Sequence, residues 1–229
     1  MAADTHLKDE DRVAARQLLR LAGPYLRRRD HDGLAARLSE GWSPECLTLL
    51  LESDESDVVE TALICLGLFS DTTVAPAIAR CLHHVDQLVA SAAENALWSI
   101  WFRAGGPMAQ AALARIARSI KAGETENVVS MLTELIRAYP NYAEAHHQRS
   151  QAYYLQGAYD FALRDARRAV ALNPLHFGAQ ANEAHALAAL GRSREALDAY
   201  RAAFRLHPTM PGIREAIDHL RERFFATTV

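Results

Sequence analysis

Residues 143–176 read AEAHHQRSQAYYLQGAYDFALRDARRAVALNPLH. Two helix-forming stretches are visible, parted by Gly157 and closed by Pro174. In the second stretch Ala162, Ala166, Ala169 and Val170 fall at helical spacing and mark one apolar face. A glycine just past a helix takes a left-handed cap at least cost. A proline near the end of the second stretch stops that helix and redirects the chain. The segment therefore predicts a helical hairpin.

The same marks recur on both sides. Pro140, Pro174 and Pro208 are evenly spaced, and Gly123, Gly157 and Gly191 keep the same spacing, a period of about 34 residues that suits a helix–turn–helix unit. Ala162 and Ala196, Ala169 and Ala203, and Leu172 and Leu206 share that period. A hairpin repeated at a fixed period buries its apolar face only by stacking on its neighbours, which makes a solenoid. No stretch alternates with period two for long enough to form a sheet. The expected fold is all-α: a right-handed α-α superhelix, or alpha solenoid, of helical hairpins.

Residues 143–176 closely resemble a tetratricopeptide repeat. The signature aromatic stands at Tyr153, the glycine at Gly157, the small helix B residues at Ala162 and Ala169, and the terminal proline at Pro174. Residues 177–210 are similar, with Gly191, Ala196, Tyr200, Ala203 and Pro208. Residues 109–142 keep Gly123 and Pro140 but carry Val128 and Leu135 where alanine is usual. The first signature position, often Trp, is Ala112, His146 and Gln180 in turn. The resemblance implies three such units over residues 109–210 and a concave groove lined by helix A positions two, five, nine, twelve and thirteen. In the second unit these are Glu144, His147, Gln151, Tyr154 and Leu155; in the third, Gly178, Ala181, His185, Ala188 and Ala189. In the first they are Gln110, Leu113, Ala117, Ile120 and Lys121. The partner-binding residues it points to are Glu144, His147, Gln151, Tyr154, Ala181 and His185. Spacing alone puts His147, Gln151 and Tyr154 on one helix face. Chaperone-binding members clamp a C-terminal carboxylate with Lys and Asn at positions five and nine of the first unit. Here those are Leu113 and Ala117, so that clamp is absent.

The first half has a different, slightly shorter period. Leu47, Leu50 and Leu51 recur at one constant offset as Ile78, Cys81 and Leu82, and Val58, Ala62 and Leu66 recur at the same offset as Val89, Ala93 and Leu97. Two hairpins follow over residues 32–104. Ser43-Pro44 supplies an N-cap and a first-turn proline, and Ser56 or Asp57 can cap the next helix. Asp57, Val59, Ala62, Leu66 and Gly67 are similar to the second helix of a short HEAT-type repeat. Residues 1–31 are expected to form an N-terminal helical segment, with Pro24 at a turn or kink. Residues 211–226 are expected to form a capping helix, with Ile213, Ala216, Ile217, Leu220 and Phe224 on one stripe. Gly105-Gly106-Pro107 breaks the halves but is too short for a flexible linker, so both repeat types are expected to stack into one superhelix.

Composition narrows the function. Hydrophobic residues make up 50% and charged residues 23%, in the range of a globular protein. The net charge of -3 gives no basic footprint for nucleic acid. No apolar run is long enough to span a bilayer, and the polar start MAADTHLKDE is not a secretory signal. Cytoplasmic residence is the expectation. Cys46, Cys65 and Cys81 have no metal spacing and sit in apolar segments, as buried thiols do. No phosphate loop, nucleophile elbow or H-E-x-x-H is present. His83-His84 and His146-His147 lack a second ligand at i+4, so no metal and no cofactor are expected. Arg164, Arg167 and Arg168 read as a solvated face, and Trp98 and Trp101 as core. The expected function is a non-catalytic scaffold or adaptor binding another protein or peptide, with no nucleic acid and no membrane partner and the oligomeric state left open. The alternatives are a HEAT-type lyase or base-excision-like enzyme with a cleft in the N-terminal half, and a self-assembling solenoid.

Overall fold

A computed structural model describes residues 9–122 and 127–226. Among the described residues every regular element is helical, and the chain divides into two compact units between Trp101 and Phe102.

The first unit holds α1 (Asp9–Arg28), α2 (His31–Ser39), α3 (Pro44–Leu49), α4 (Ser56–Phe69), α5 (Ala75–Arg80) and most of α6 (Gln87–Arg103). The period read from its sequence is structural. α3 tightens into a 3-10 turn at Leu50–Glu52 and α5 does the same at Cys81–His83, while α4 and α6 start at equivalent points of the period. The Ser43 hydroxyl caps α3 by accepting from the Cys46 N–H at 3.3 Å, with Pro44 in the first turn. Neither Ser56 nor Asp57 is the N-cap of α4; Glu55 holds that position, without a side-chain cap bond, and the Asp57 carboxylate accepts from the Val58 N–H. Leu47, Leu63, Leu66, Ile78 and Leu97 form the fully buried centre. Of the turn or kink expected at Pro24, the turn is not there: Pro24 lies inside α1, and the chain turns at Arg29, whose φ is 56°. The carbonyl that loses its partner to the proline belongs to Arg20, an exposed residue, so water can satisfy it.

The second unit holds α7 (Gly106–Lys121), α8 (Val128–Ala138), α9 (Ala143–Leu155), α10 (Tyr159–Leu172), α11 (Phe177–Ala189), α12 (Ser193–Leu206) and α13 (Ile213–Ala226). α11 repeats α9, and α12 repeats α10, at the displacement that separates Gly157 from Gly191. Gly157 and Gly191 both take φ of +74°, and the N–H groups of Ala158 and Arg192 donate at 2.9 Å to the carbonyls of Tyr153 and Leu187. These are the glycine caps the sequence predicts; Gly123 lies outside the described residues. The residues just before the three prolines close the second helices: the N–H groups of Tyr139, Asn173 and His207 donate to the carbonyls of Leu135, Ala169 and Ala203.

Ala162, Ala169, Ala196 and Ala203 are fully buried, and a small side chain is what lets neighbouring helices approach. They belong with Leu187, Leu197 and Tyr200, and α13 closes this core with Ile213, Ile217 and Leu220; Ala169 is buried beside it. The side chain of Phe224 lies outside the described residues. A second apolar cluster, Leu113, Ile116, Val128, Leu132, Leu135 and Tyr142, joins α7, α8 and the start of α9.

The glycine caps give a test that separates backbone from packing. A Cβ added at Gly157 would meet nothing within 4 Å, so any cost comes from the left-handed backbone alone. Gly157→Ala is expected to lower stability by about 1–2 kcal/mol in urea unfolding. Gly41→Ala, also in open space but without a positive φ, is expected to stay within about 0.5 kcal/mol of the parent.

Candidate binding groove and its buried polar floor

α9 is the unusual helix. Glu144, His146, His147 and Ser150 on it are buried, as deeply as the alanines around them. Removing such groups from water is costly unless each finds a partner, and they do.

On one side lies Asp165 of α10, with side-chain exposure of 9%. Arg149 grips it with two bonds, Nε to Oδ2 at 2.6 Å and Nη2 to Oδ1 at 2.8 Å, and sends Nη1 to Thr133 Oγ1 of α8 at 3.0 Å. His146 sets Nδ1 at 3.3 Å from Asp165 Oδ1 and Nε2 at 3.2 Å from the Pro140 carbonyl. Burial alone would raise the Asp165 carboxyl; the Arg149 and His146 bonds outweigh it and hold it below its ordinary value. The Ser150 hydroxyl donates to the Ala162 carbonyl at 2.9 Å. One guanidinium thus ties α8, α9 and α10 together.

On the other side lies Glu144. Its Oε1 accepts from Gln148 Nε2 at 2.6 Å and lies 3.3 Å from His147 Nδ1, while Oε2 lies 2.9 Å from His176 Nε2. His176 is also the N-cap of α11: its Nδ1 accepts from the Ala179 N–H at 3.2 Å. That bond places the ring proton on Nε2, which donates to Glu144. Burial pushes His176 down to about 4, and the neighbouring His147 adds to the shift. Burial would raise Glu144, but His147 and His176 hold it well below the carboxylate range.

Glu144, His147 and His176 bring their donor atoms within 4.8 Å of one another, and two imidazoles with a carboxylate are a set that zinc uses. The backbone opposes that use. A ligating histidine donates its second N–H to an acceptor, which bares the ligating nitrogen. Here the second nitrogen faces the Ala179 N–H, so metal on Nε2 would set two N–H groups against each other at the head of α11. The cluster fits a hydrogen-bonded set that carries its own proton.

The six groove residues named from the sequence divide accordingly. Glu144 (3% exposed), His147 (2%) and Ala181 (2%) are interior: His176, the cap of α11, packs on Glu144 and His147, with the His147 and His176 rings 4.5 Å apart, and Ala181 of α11 lies in the core with Leu187 and Tyr200. They form the floor and are not available to a partner's contact. Gln151 and Tyr154 reach solvent, and His185 is half-buried. Tyr154 of α9 and His185 of α11 sit 6.1 Å apart between ring centres. His185 Nδ1 lies 2.7 Å from the Tyr200 hydroxyl, which burial pushes up to about 12. Burial also lowers His185, which favours the neutral ring. Between α7 and α9 opens a pocket of about 420 Å³ lined by Ile120, Val128, Gln148, Gln151, Ala152, Leu155 and Gln156. Leu113, expected at the groove start, is buried in the α7–α8 cluster.

Sequence reasoning missed His176, Asp165 and Arg149. The signals were present: Glu144 stands one helical turn before His147, and His146, Arg149 and Ser150 occupy the inward face of α9, where apolar residues belong.

The family description "Tetratricopeptide repeat" matches residues 143–176. The chain carries a tetratricopeptide repeat. No curated protein sequence matches it. Solved structures do. The first repeat domain of Spaghetti (RPAP3), bound to the HSP90 peptide SRMEEVD, is 22% identical with a TM-score of 0.49, over 51% of this chain and 92% of that one. The repeat domain of Arabidopsis OM64 is 21% identical with a TM-score of 0.48, over 50% and 95%. The TPR2AB domain of yeast Sti1, in complex with an HSP90 peptide, is 18% identical with a TM-score of 0.44, over 91% and 97%.

The buried histidine makes stability depend on pH. The folded value of His176 lies below the ordinary 6.5, so the unfolded chain takes up the proton first. Its contribution is complete above 6.5 and is lost as pH falls toward 4. Glu144, also lowered, adds loss in the same direction at more acid pH. Urea unfolding is expected to show about 2 kcal/mol less stability at about pH 5 than at about pH 7.5 from His176 alone. His176→Asn, which keeps a capping acceptor without a titrating ring, is expected to flatten that slope.

Proposed function

We propose that the chain is a non-catalytic binding module that holds a peptide or an extended segment of another protein in the groove of its second unit. The observation that carries this is the contrast along α9. Its N-terminal part carries a closed polar floor, while Gln151, Tyr154 and Leu155, on the same face toward its C-terminal end, stand open, with Gln151 and Leu155 lining a pocket. Leu155 is 85% exposed, and Ile120 across the pocket is 41% exposed. Large apolar side chains left open next to a concavity mark interaction sites. A repeat array is suited to this role because its first helices line up side by side and offer one wall to an extended ligand.

The buried ionisable groups do not favour an enzyme. They are engaged with protein partners, and the Ser150 hydroxyl among them is committed to the Ala162 carbonyl. In the first unit a concavity of about 650 Å³ has His31 and Glu60 as its ionisable lining residues, and neither is buried. The proposed residence remains the cytoplasm; among the described residues no helix is long and apolar enough to cross a membrane.

Cross-linking capture with the full chain tests the reading. Partners are expected to cross-link to residues of α7, α9 and α11, and Tyr154→Ala is expected to weaken capture about tenfold, the usual cost of losing one well-placed aromatic contact. Cross-links confined to the first unit, unchanged by Tyr154→Ala, would count against it.

A further inference from the structure

The groove has a chemistry as well as a shape, and it is uncharged where a peptide would lie. Between α7 and α9, Ile120, Val128 and Leu155 make an apolar pocket of about 420 Å³, wide enough for one large side chain. Three neutral amides rim it: Gln151, Gln156 and Gln148, the last already donating from Nε2 to Glu144 at 2.6 Å. An amide offers a donor and an acceptor together, which matches the alternating N–H and C=O of an extended backbone. One helix further on, Tyr154 presents its ring beside His185. The Tyr200 hydroxyl engages His185 Nδ1 from behind at 2.7 Å, which leaves Nε2 as the ring's other polar atom.

The charges that would be needed for an acidic ligand are elsewhere. At matching positions along the repeat register stand Leu113, His147, Ala181 and Glu215, and next to them Ala117, Gln151, His185 and His219. No lysine or arginine occurs in either row, and the α13 position carries an acid. Lys121 at the end of α7 is the cation among the wall positions. Two arginines of the second helices and their caps are engaged with acids: Arg167 with Glu183 at 2.8 Å and Arg192 with Glu195 at 2.6 Å.

We infer that the groove recognises a neutral, extended peptide segment that seats one large aliphatic or aromatic side chain in the Ile120–Val128–Leu155 pocket, with its backbone held by the Gln151 and Gln156 amides and by His185 Nε2. This rests on the binding role proposed above and names its ligand class. The ligand is not a free terminal carboxylate.

The test uses the full chain and two probes: a displayed library of random dodecapeptides, and the synthetic acidic peptide SRMEEVD. Leu155→Asp and Gln151→Ala change exposed positions, so both variants are expected to fold, as circular dichroism will check. The expected result is enrichment of neutral sequences sharing one Leu, Ile, Met, Phe or Trp. Their Kd should change less than about twofold between low and high salt, and C-terminal amidation should leave it unchanged. Leu155→Asp should weaken them at least about tenfold, Gln151→Ala less, and SRMEEVD should not bind. Enriched peptides that are acidic, or that need a free carboxylate, and that still lose binding in Leu155→Asp would overturn the ligand class and leave the groove reading standing. No enrichment, or peptides that bind Leu155→Asp and Tyr154→Ala as well as the parent, would overturn both.

Discussion

The second unit depends on two buried carboxylates. Asp165 is held by Arg149 and His146, and Glu144 by His147, Gln148 and His176. A carboxylate out of water without donors is not tolerated, and each of these is ringed by donor side chains. The consequence is positional. Arg149 meets Asp165 with both prongs of its guanidinium while a third nitrogen reaches Thr133, so α8, α9 and α10 have one relative register. Glu144 then couples α9 to the residue just before α11 through His176, whose other nitrogen caps that helix. A shift along any of these helices would leave a buried charge unpaired, a larger loss than a shifted alanine contact brings.

This arrangement also explains what is exposed. With residues 144–150 of α9 committed to Asp165, His176 and the Ala162 carbonyl, the last turn is free of those bonds. Gln151, Tyr154 and Leu155 stand in that turn and are exposed. They are carried by a helix clamped from three sides, so a ligand would meet a wall that is already ordered. Preorganisation of this kind lowers the ordering cost of binding. The Tyr200–His185 bond does the same for one polar ring on α11.

Much of the fold was legible in the sequence. The glycines at 157 and 191 need a left-handed backbone, the prolines at 140, 174 and 208 follow the ends of second helices, and the alanines at 162, 169, 196 and 203 are buried; all three signals are local and chemical. The shorter period of the first half was legible for the same reason, down to the matching 3-10 turns. Pro24 makes no turn because a proline can stay inside a helix where water satisfies the carbonyl four residues back. The site was half legible. Spacing gives the direction in which Glu144 and His147 point, but burial depends on what covers that face. The cover is His176, far along the chain from Glu144 and set by how α11 packs on α9. The role of Arg149 is likewise a matter of distance, because its partner Asp165 lies on another helix.

The central claim is that α9 is fixed by its carboxylate pairs and not by apolar packing. A double-mutant cycle on Arg149→Leu and Asp165→Leu, read by urea unfolding of the full chain, measures this directly. Each single change leaves one buried charge alone and is expected to cost about 3–5 kcal/mol, while the double variant recovers much of that loss. A coupling energy near zero, with the double loss equal to the sum of the singles, would contradict the claim.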